Sequence, residues 1–75
     1  FGPYEAYYNA GNYQEVINLT STTLSGADNL EESHFWRGRA YAALGQTDAA
    51  RQDFQKAIRL NSNFSAAQEA LAALP

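Results

Sequence analysis

The stretch GRAYAALGQTDAARQDFQKA, residues 38–57, holds two helical patterns hinged on a single glycine. Before Gly45 a helix is predicted from about Leu30 to Leu44, and glycine ends helices because it takes the left-handed conformation at little steric cost. After Gly45, a helix starting at Gln46 or Thr47 carries Ala50, Phe54, Ala57 and Ile58 at three- and four-residue steps, which puts them on one face. Asp48 near its start and Arg59 near its end suit the helix dipole.

Outward from this hinge the residues recur at a fixed offset of 34: Gly11 with Gly45, Ala6 with Ala40, Tyr7 with Tyr41, Val16 with Ala50, Leu24 with Ile58, Asn29 with Asn63. That period marks a helical repeat, in which no unit buries its own apolar face and each must stack on a neighbour. The expected fold is all-α: helix-turn-helix repeats stacked as a short α-solenoid of about five helices.

Pro3 suits a first helical position, and Tyr4 to Ala10 form a short helix that Gly11 ends. Asn12 with Glu15, and Asn29 with Glu32, have capping-box spacing and predict N-caps for the second and third helices. The second helix sets Val16, Leu19, Thr20, Thr23 and Leu24 on one face. It is weak by propensity, since Thr20 to Thr23 restrict rotamers or compete for backbone hydrogen bonds. Gly26 to Asn29 and Asn61 to Asn63 read as turns, and Phe64 to Leu74, rich in Ala and Leu, reads as a last helix ended by Pro75.

The chain has 75 residues, no cysteine, and eight acids against five bases for a net charge of −3. One small domain of this size buries only roughly 60–65% of its unfolded surface. Neither disulfides nor a structural zinc supplement its core, so helix packing must hold it. The charge lacks the basic patch that nucleic acid requires. No apolar run approaches the roughly 18 residues of a membrane span, and no signal segment opens the chain. The absence of an initiator Met before Phe1 predicts a piece of a longer protein, and the termini leave its compartment unassigned.

Residues 31–64 resemble one tetratricopeptide repeat, a pair of antiparallel helices with small and large residues at fixed places. Gly38, Tyr41, Ala50, Phe54 and Ala57 occupy the family's small-large-small-large-small sites, and Leu44-Gly45 its turn. Close packing explains the pattern: Gly38 and Ala50 let the helices approach while Tyr41 and Phe54 fill the space beside them. His34 stands where the family usually has Trp, Arg37 where it has Leu, and Ser62 where it has Pro. Trp36 is two places off the signature Trp. Arg37 is expected to lay its stem over apolar surface with its head in water. Residues 1–30 resemble a degraded earlier repeat, with Tyr7, Gly11, Tyr13 and Val16 in register, Tyr4 in place of a small residue, and Thr20 and Thr23 in place of a large aromatic and an Ala. Residues 65–75 resemble a C-terminal capping helix, so 1–75 reads as a single domain.

His34 is the single histidine, and without Cys it forms neither a nucleophile-base pair nor a multi-histidine metal site within this chain. It reads as a packing residue. No catalytic, cofactor-binding or metal-ligating residue is expected, and no enzyme chemistry is visible. Asn18-Leu19-Thr20 and Asn63-Phe64-Ser65 satisfy the glycosylation tripeptide, a pattern loose enough to arise by chance.

The resemblance implies that the first helix of each unit lines a concave groove. That carries over to Phe1, Glu5, Tyr8 and Asn9, to Glu32, Phe35, Arg39, Ala42 and Ala43, and to Ala66, Glu69 and Ala73, with Trp36 at the border. Tyr8, Asn9, Glu32, Phe35, Trp36, Arg39 and Glu69 are the candidate peptide contacts, because interface energy concentrates in Trp, Tyr and Arg. Phe35 and Trp36 have the alternative of packing on the neighbouring repeat.

The expected function is a noncatalytic protein-protein interaction module or scaffold, binding a peptide or a neighbouring domain of its parent. The alternative is a structural C-terminal appendage of a bacterial exported enzyme, since the opening Phe-Gly-Pro-Tyr-Glu-Ala-Tyr resembles tails of papain-like double-glycine peptidases. One subgroup of the family clamps acidic chaperone tails with Lys, Asn and Arg. The matching places here hold Phe1, Glu5, Trp36, Ala66 and Ala70, so no such binding is expected. Outer helices leaving Tyr4, Tyr7, Tyr8, Leu71 and Leu74 partly exposed would invite self-association.

Overall fold

A computed structural model describes residues 3–75, so Phe1 and the groove and clamp positions expected of it lie outside the described residues. Five helices follow in order: α1 (Tyr4–Asn9), α2 (Tyr13–Gly26), α3 (Glu31–Ala43), α4 (Thr47–Leu60) and α5 (Ser65–Ala72). Each packs on its neighbours in the chain, and α1 also touches α3. Sequential packing of this kind makes a short solenoid of antiparallel helix pairs.

The backbone repeats as the sequence does. Gly11 and Gly45 both have positive φ, 81° and 78°. Gly11 N–H donates to the Tyr8 carbonyl and Asn12 N–H to Tyr7, at 3.0 and 2.9 Å; Gly45 and Gln46 donate to Ala42 and Tyr41 at the same distances. Both turns are Schellman motifs that satisfy the last carbonyls of α1 and α3. The extended residues that leave α2 and α4, Ala27 and Asn61, also match, at φ −153°, ψ 102° and φ −146°, ψ 96°.

The expected capping boxes do not form. Asn12 occupies the N-cap of α2 without a side-chain cap bond, and α3 is preceded by Leu30, which leaves Asn29 outside the cap position. Phe64 takes the equivalent place before α5, with its ring 5.0 Å from that of Phe35. Half-buried Leu30 and Phe64, rather than asparagines, occupy the positions immediately before α3 and α5.

Phe54 is the centre of the larger core, 1% exposed among Ala50, Ala57, Ala67 and Phe35. A Cβ on Gly38 would lie 2.7 Å from Phe54 Cε1, so α3 and the Phe54 ring come together only because residue 38 has no side chain. Val16, Ile17 and Ala40 form a second cluster, and Trp36 and Tyr41 touch both. Thr20, fully buried in α2, turns its hydroxyl to the Val16 carbonyl at 2.7 Å, so the polar atom is satisfied inside the helix.

Tyr4 departs from expectation. It is 3% exposed rather than part of an open outer face. Its hydroxyl donates to Thr23 Oγ1 and accepts from Ser33 Oγ, both at 3.2 Å, and those two partners let a phenol plug the space between α2 and α3.

Candidate functional site

Helices α1, α3 and α5 share one side of the stack, and a cleft of about 300 Å³ opens there between Tyr8, Arg39, Ala42, Ala70, Ala73 and Leu74. Register explains the composition: Tyr8 and Ala42 are repeat equivalents, as are Arg39 and Ala73, so the period that builds the stack also aligns these walls. Small residues on α3 and α5 leave the space open.

An aromatic row runs beside the cleft. Ring centroids are 5.2 Å apart for Tyr13 and Tyr8, 5.6 Å for Tyr8 and Trp36, and 5.5 Å for Trp36 and Phe35. Arg39 sets its guanidinium carbon 4.3 Å from the Tyr8 centroid, 5.0 Å from Trp36 and 5.7 Å from Phe35. Cation–π contacts of this kind contribute about 0.5–2 kcal/mol depending on desolvation. No ion pair involves Arg39 among the described residues. The arginine side-chain hydrogen bonds belong to Arg37 and Arg51 instead.

Of the sequence candidates, Tyr8, Trp36 and Arg39 are brought together and stay half-buried. Phe35 takes the packing alternative instead. At 7% exposure it packs against Phe54 and Phe64 in the core, leaving little of its ring for a ligand, because α5 closes over that side of α3. Asn9, Glu32 and Glu69 do not line the cleft. Ala70 and Leu74 do, although sequence reasoning did not make them contacts; Ala70 repeats Trp36 at the same offset, which was the available signal.

A second polar group lies away from the cleft. Asp53, 5% exposed on α4, accepts from Arg37 Nε at 2.8 Å and Nη2 at 2.9 Å, while His34 Nδ1 lies 3.0 Å away. Arg37 Nη1 also donates to Ser21 Oγ, and His34 Nε2 is 2.8 Å from the Asp28 carbonyl oxygen. The hydrogen bond that Arg37 donates to Asp53 raises the Arg37 pKa above its ordinary value, against the opposing effect of burial. The expectation that Arg37 keeps its head in water is therefore corrected: a buried carboxylate on α4 draws it inward. His34 packs as expected, with both ring nitrogens engaged, and the group ties α2, α3, α4 and the loop before α3.

A larger depression, about 530 Å³, lies at the turn end among Tyr7, Gly11, Tyr13 and Leu44, but it lacks the cleft's cation. Among the described residues no cluster of His, Cys, Asp or Glu could hold a metal ion, and no helix is long and apolar enough to cross a membrane.

Stacked helix pairs that each pack on their neighbours in the chain define a helical-repeat domain. Residues 31–64 match the tetratricopeptide repeat family, and this segment is one such repeat. Repeats of this family mediate protein–protein interaction. A similar curated protein is peptidyl-prolyl cis-trans isomerase FKBP42 of Arabidopsis thaliana, 37% identical over 62 residues, which cover 83% of this chain. Those residues amount to 17% of that relative's length.

Proposed function

We propose that this chain is a noncatalytic module that holds a peptide segment, from another protein or from another domain of its parent, in the cleft between α1, α3 and α5. The carrying observation is that three successive first helices, together with Phe54 of α4, supply the cleft's lining, in which Ala42, Ala70 and Ala73 stand near one arginine. A cleft of about 300 Å³ sits at the lower end of ligand-pocket volumes, which suits one or two side chains of an extended segment. Residues 1–30, 31–64 and 65–75 then act as partial repeat, full repeat and cap of one domain, each contributing one wall.

The test is selection of displayed 12-residue peptides on the intact chain, followed by amide chemical-shift mapping of the winners. Shifts should concentrate at Ala42, Ala70 and Ala73, and Ala42→Trp, which fills the cleft, should abolish them. Peptides that shift only α2 and α4, or that bind Ala42→Trp equally well, would overturn the reading.

The relative's name is that of an enzyme, and the matched residues are a small part of it. This supports a second reading in which the segment is attached to a larger enzyme. Its cleft would then serve a neighbouring domain of the same chain.

A further inference from the structure

Three arginines in this molecule have defined side-chain surroundings, and they differ in one respect. Arg37 is held by Asp53 and Arg51 by Asp48, whereas Arg39 has aromatic rings around it and no carboxylate among the described residues. A half-buried guanidinium in that position keeps its charge and its fork of N–H donors, and a planar carboxylate can take two of them at once. We propose that the segment bound in the cleft presents an internal Asp or Glu side chain to Arg39, flanked by small aliphatic residues that sit against Ala42, Ala70 and Ala73.

This rests on the cleft reading above and names the chemistry of its partner. Arg39 belongs to the central helix of the three that form the cleft, so a segment running from α1 across to α5 crosses it partway along its length rather than at its end. That geometry calls for a side chain, not a terminal carboxylate. The apolar walls set the neighbours: alanines on two helices accept Ala, Val or Leu without displacing polar groups. A run of acids is disfavoured, because Glu5, Glu32 and Glu69 lie on the same three helices and Arg39 alone there is a base without a partner. One acid among neutral or basic residues fits the charge.

The experiment uses the selected 12-residue peptides, resynthesised with blocked ends, and measures their affinities by calorimetry. The winners should share one internal Asp or Glu beside an aliphatic residue. Exchanging that acid for its amide should weaken binding about tenfold or more, as loss of a charged hydrogen-bond partner does. Arg39→Gln should weaken the acidic peptide and leave the amide peptide nearly unchanged, with circular dichroism confirming that the helices persist. The peptide exchange leaves the protein untouched, so it decides the matter even if Arg39→Gln unfolds. Equal affinity for acid and amide peptides that still shift Ala42 and Ala73 overturns this inference and spares the cleft reading. Binding that is lost on C-terminal amidation also overturns it. Peptides that bind away from the cleft overturn both.

Discussion

Phe54 and Gly38 act as a single packing unit, so either can be tested through the other. Gly38→Ala gains up to about 1 kcal/mol of helix propensity but drives a Cβ to 2.7 Å from a rigid, buried ring, an overpacking that costs typically about 1–3 kcal/mol. The net expectation is a lower thermal midpoint, partly relieved when Phe54→Leu is added; a stabilised Gly38→Ala would show that the ring yields freely. Phe54→Ala should cost about 3–5 kcal/mol through the cavity it leaves. Asp53→Ala is expected to rival it, because removing one member of a buried pair strands Arg37 and costs about 3–5 kcal/mol. Urea midpoints of Asp53→Ala and the double variant with Arg37→Ala check this: the double should cost less than the two singles added. Raising the Arg37 pKa means that its contribution is present below the ordinary guanidinium value and lost only as pH rises through strongly alkaline values, so stability should not vary through Arg37 near neutrality. The small-large spacing around Gly38 was legible in the sequence because it is a pattern of volume. The Asp53 group was not, since charged side chains on separate helices read as solvated. The available clue was that His34 and Arg37 share a stripe with Gly38 and Tyr41, and buried polar groups require partners.

At the scale of elements, the helix ends marked by glycine were legible, as was the start of α2 after Asn12, whereas Asn29 did not mark the start of α3. A positive φ excludes most side chains outright, so Gly11 and Gly45 mark their turns wherever they occur. An N-cap contributes only about 1 kcal/mol, and here apolar Leu30 and Phe64 hold the cap positions of α3 and α5. The same reasoning divides the candidate site: Tyr8 and Arg39 followed from the family resemblance carried over in register, while the burial of Phe35 depends on α5 folding across it. Substitution of either turn glycine by Ala forces a left-handed residue with a Cβ, costing roughly 1–2 kcal/mol. The consequences should differ by place. Gly45→Ala, between the two helices with the most extensive mutual packing, should lower the global midpoint. Gly11→Ala should instead raise hydrogen exchange in six-residue α1 with a smaller global effect, because a terminal element opens locally. Equal midpoint losses without local exchange at α1 would show that the stack melts as one unit.

For the whole molecule, stability is a sum of neighbour interfaces, and the two ends decide what the stack does with its leftover apolar surface. Burial of Tyr4 removes one residue from the open face expected there. Tyr7, Tyr8, Leu71 and Leu74 remain half-buried, and among the described residues Leu44, at 42%, is the exposed large hydrophobic. The intact chain should therefore self-associate only near millimolar concentration. Removing α5 by ending the chain at Asn63 changes that balance. It strips Ala67, Leu71 and Leu74 from the core around Phe35 and Phe54 and takes away the Phe64 ring. Burying a large apolar side chain is worth about 1.5–3 kcal/mol, so several partly buried ones lost together remove roughly 3–5 kcal/mol. Total stability for a chain of this length is roughly 4–11 kcal/mol, which puts the shortened form near its limit and leaves an aromatic face uncovered. Sedimentation at micromolar concentration should show the shortened chain as dimers or larger species with reduced helicity, while the intact chain sediments as a monomer. A shortened chain that stays monomeric and melts at the intact midpoint would mean that α5 is not the cap, and the cleft would lose one of its three walls.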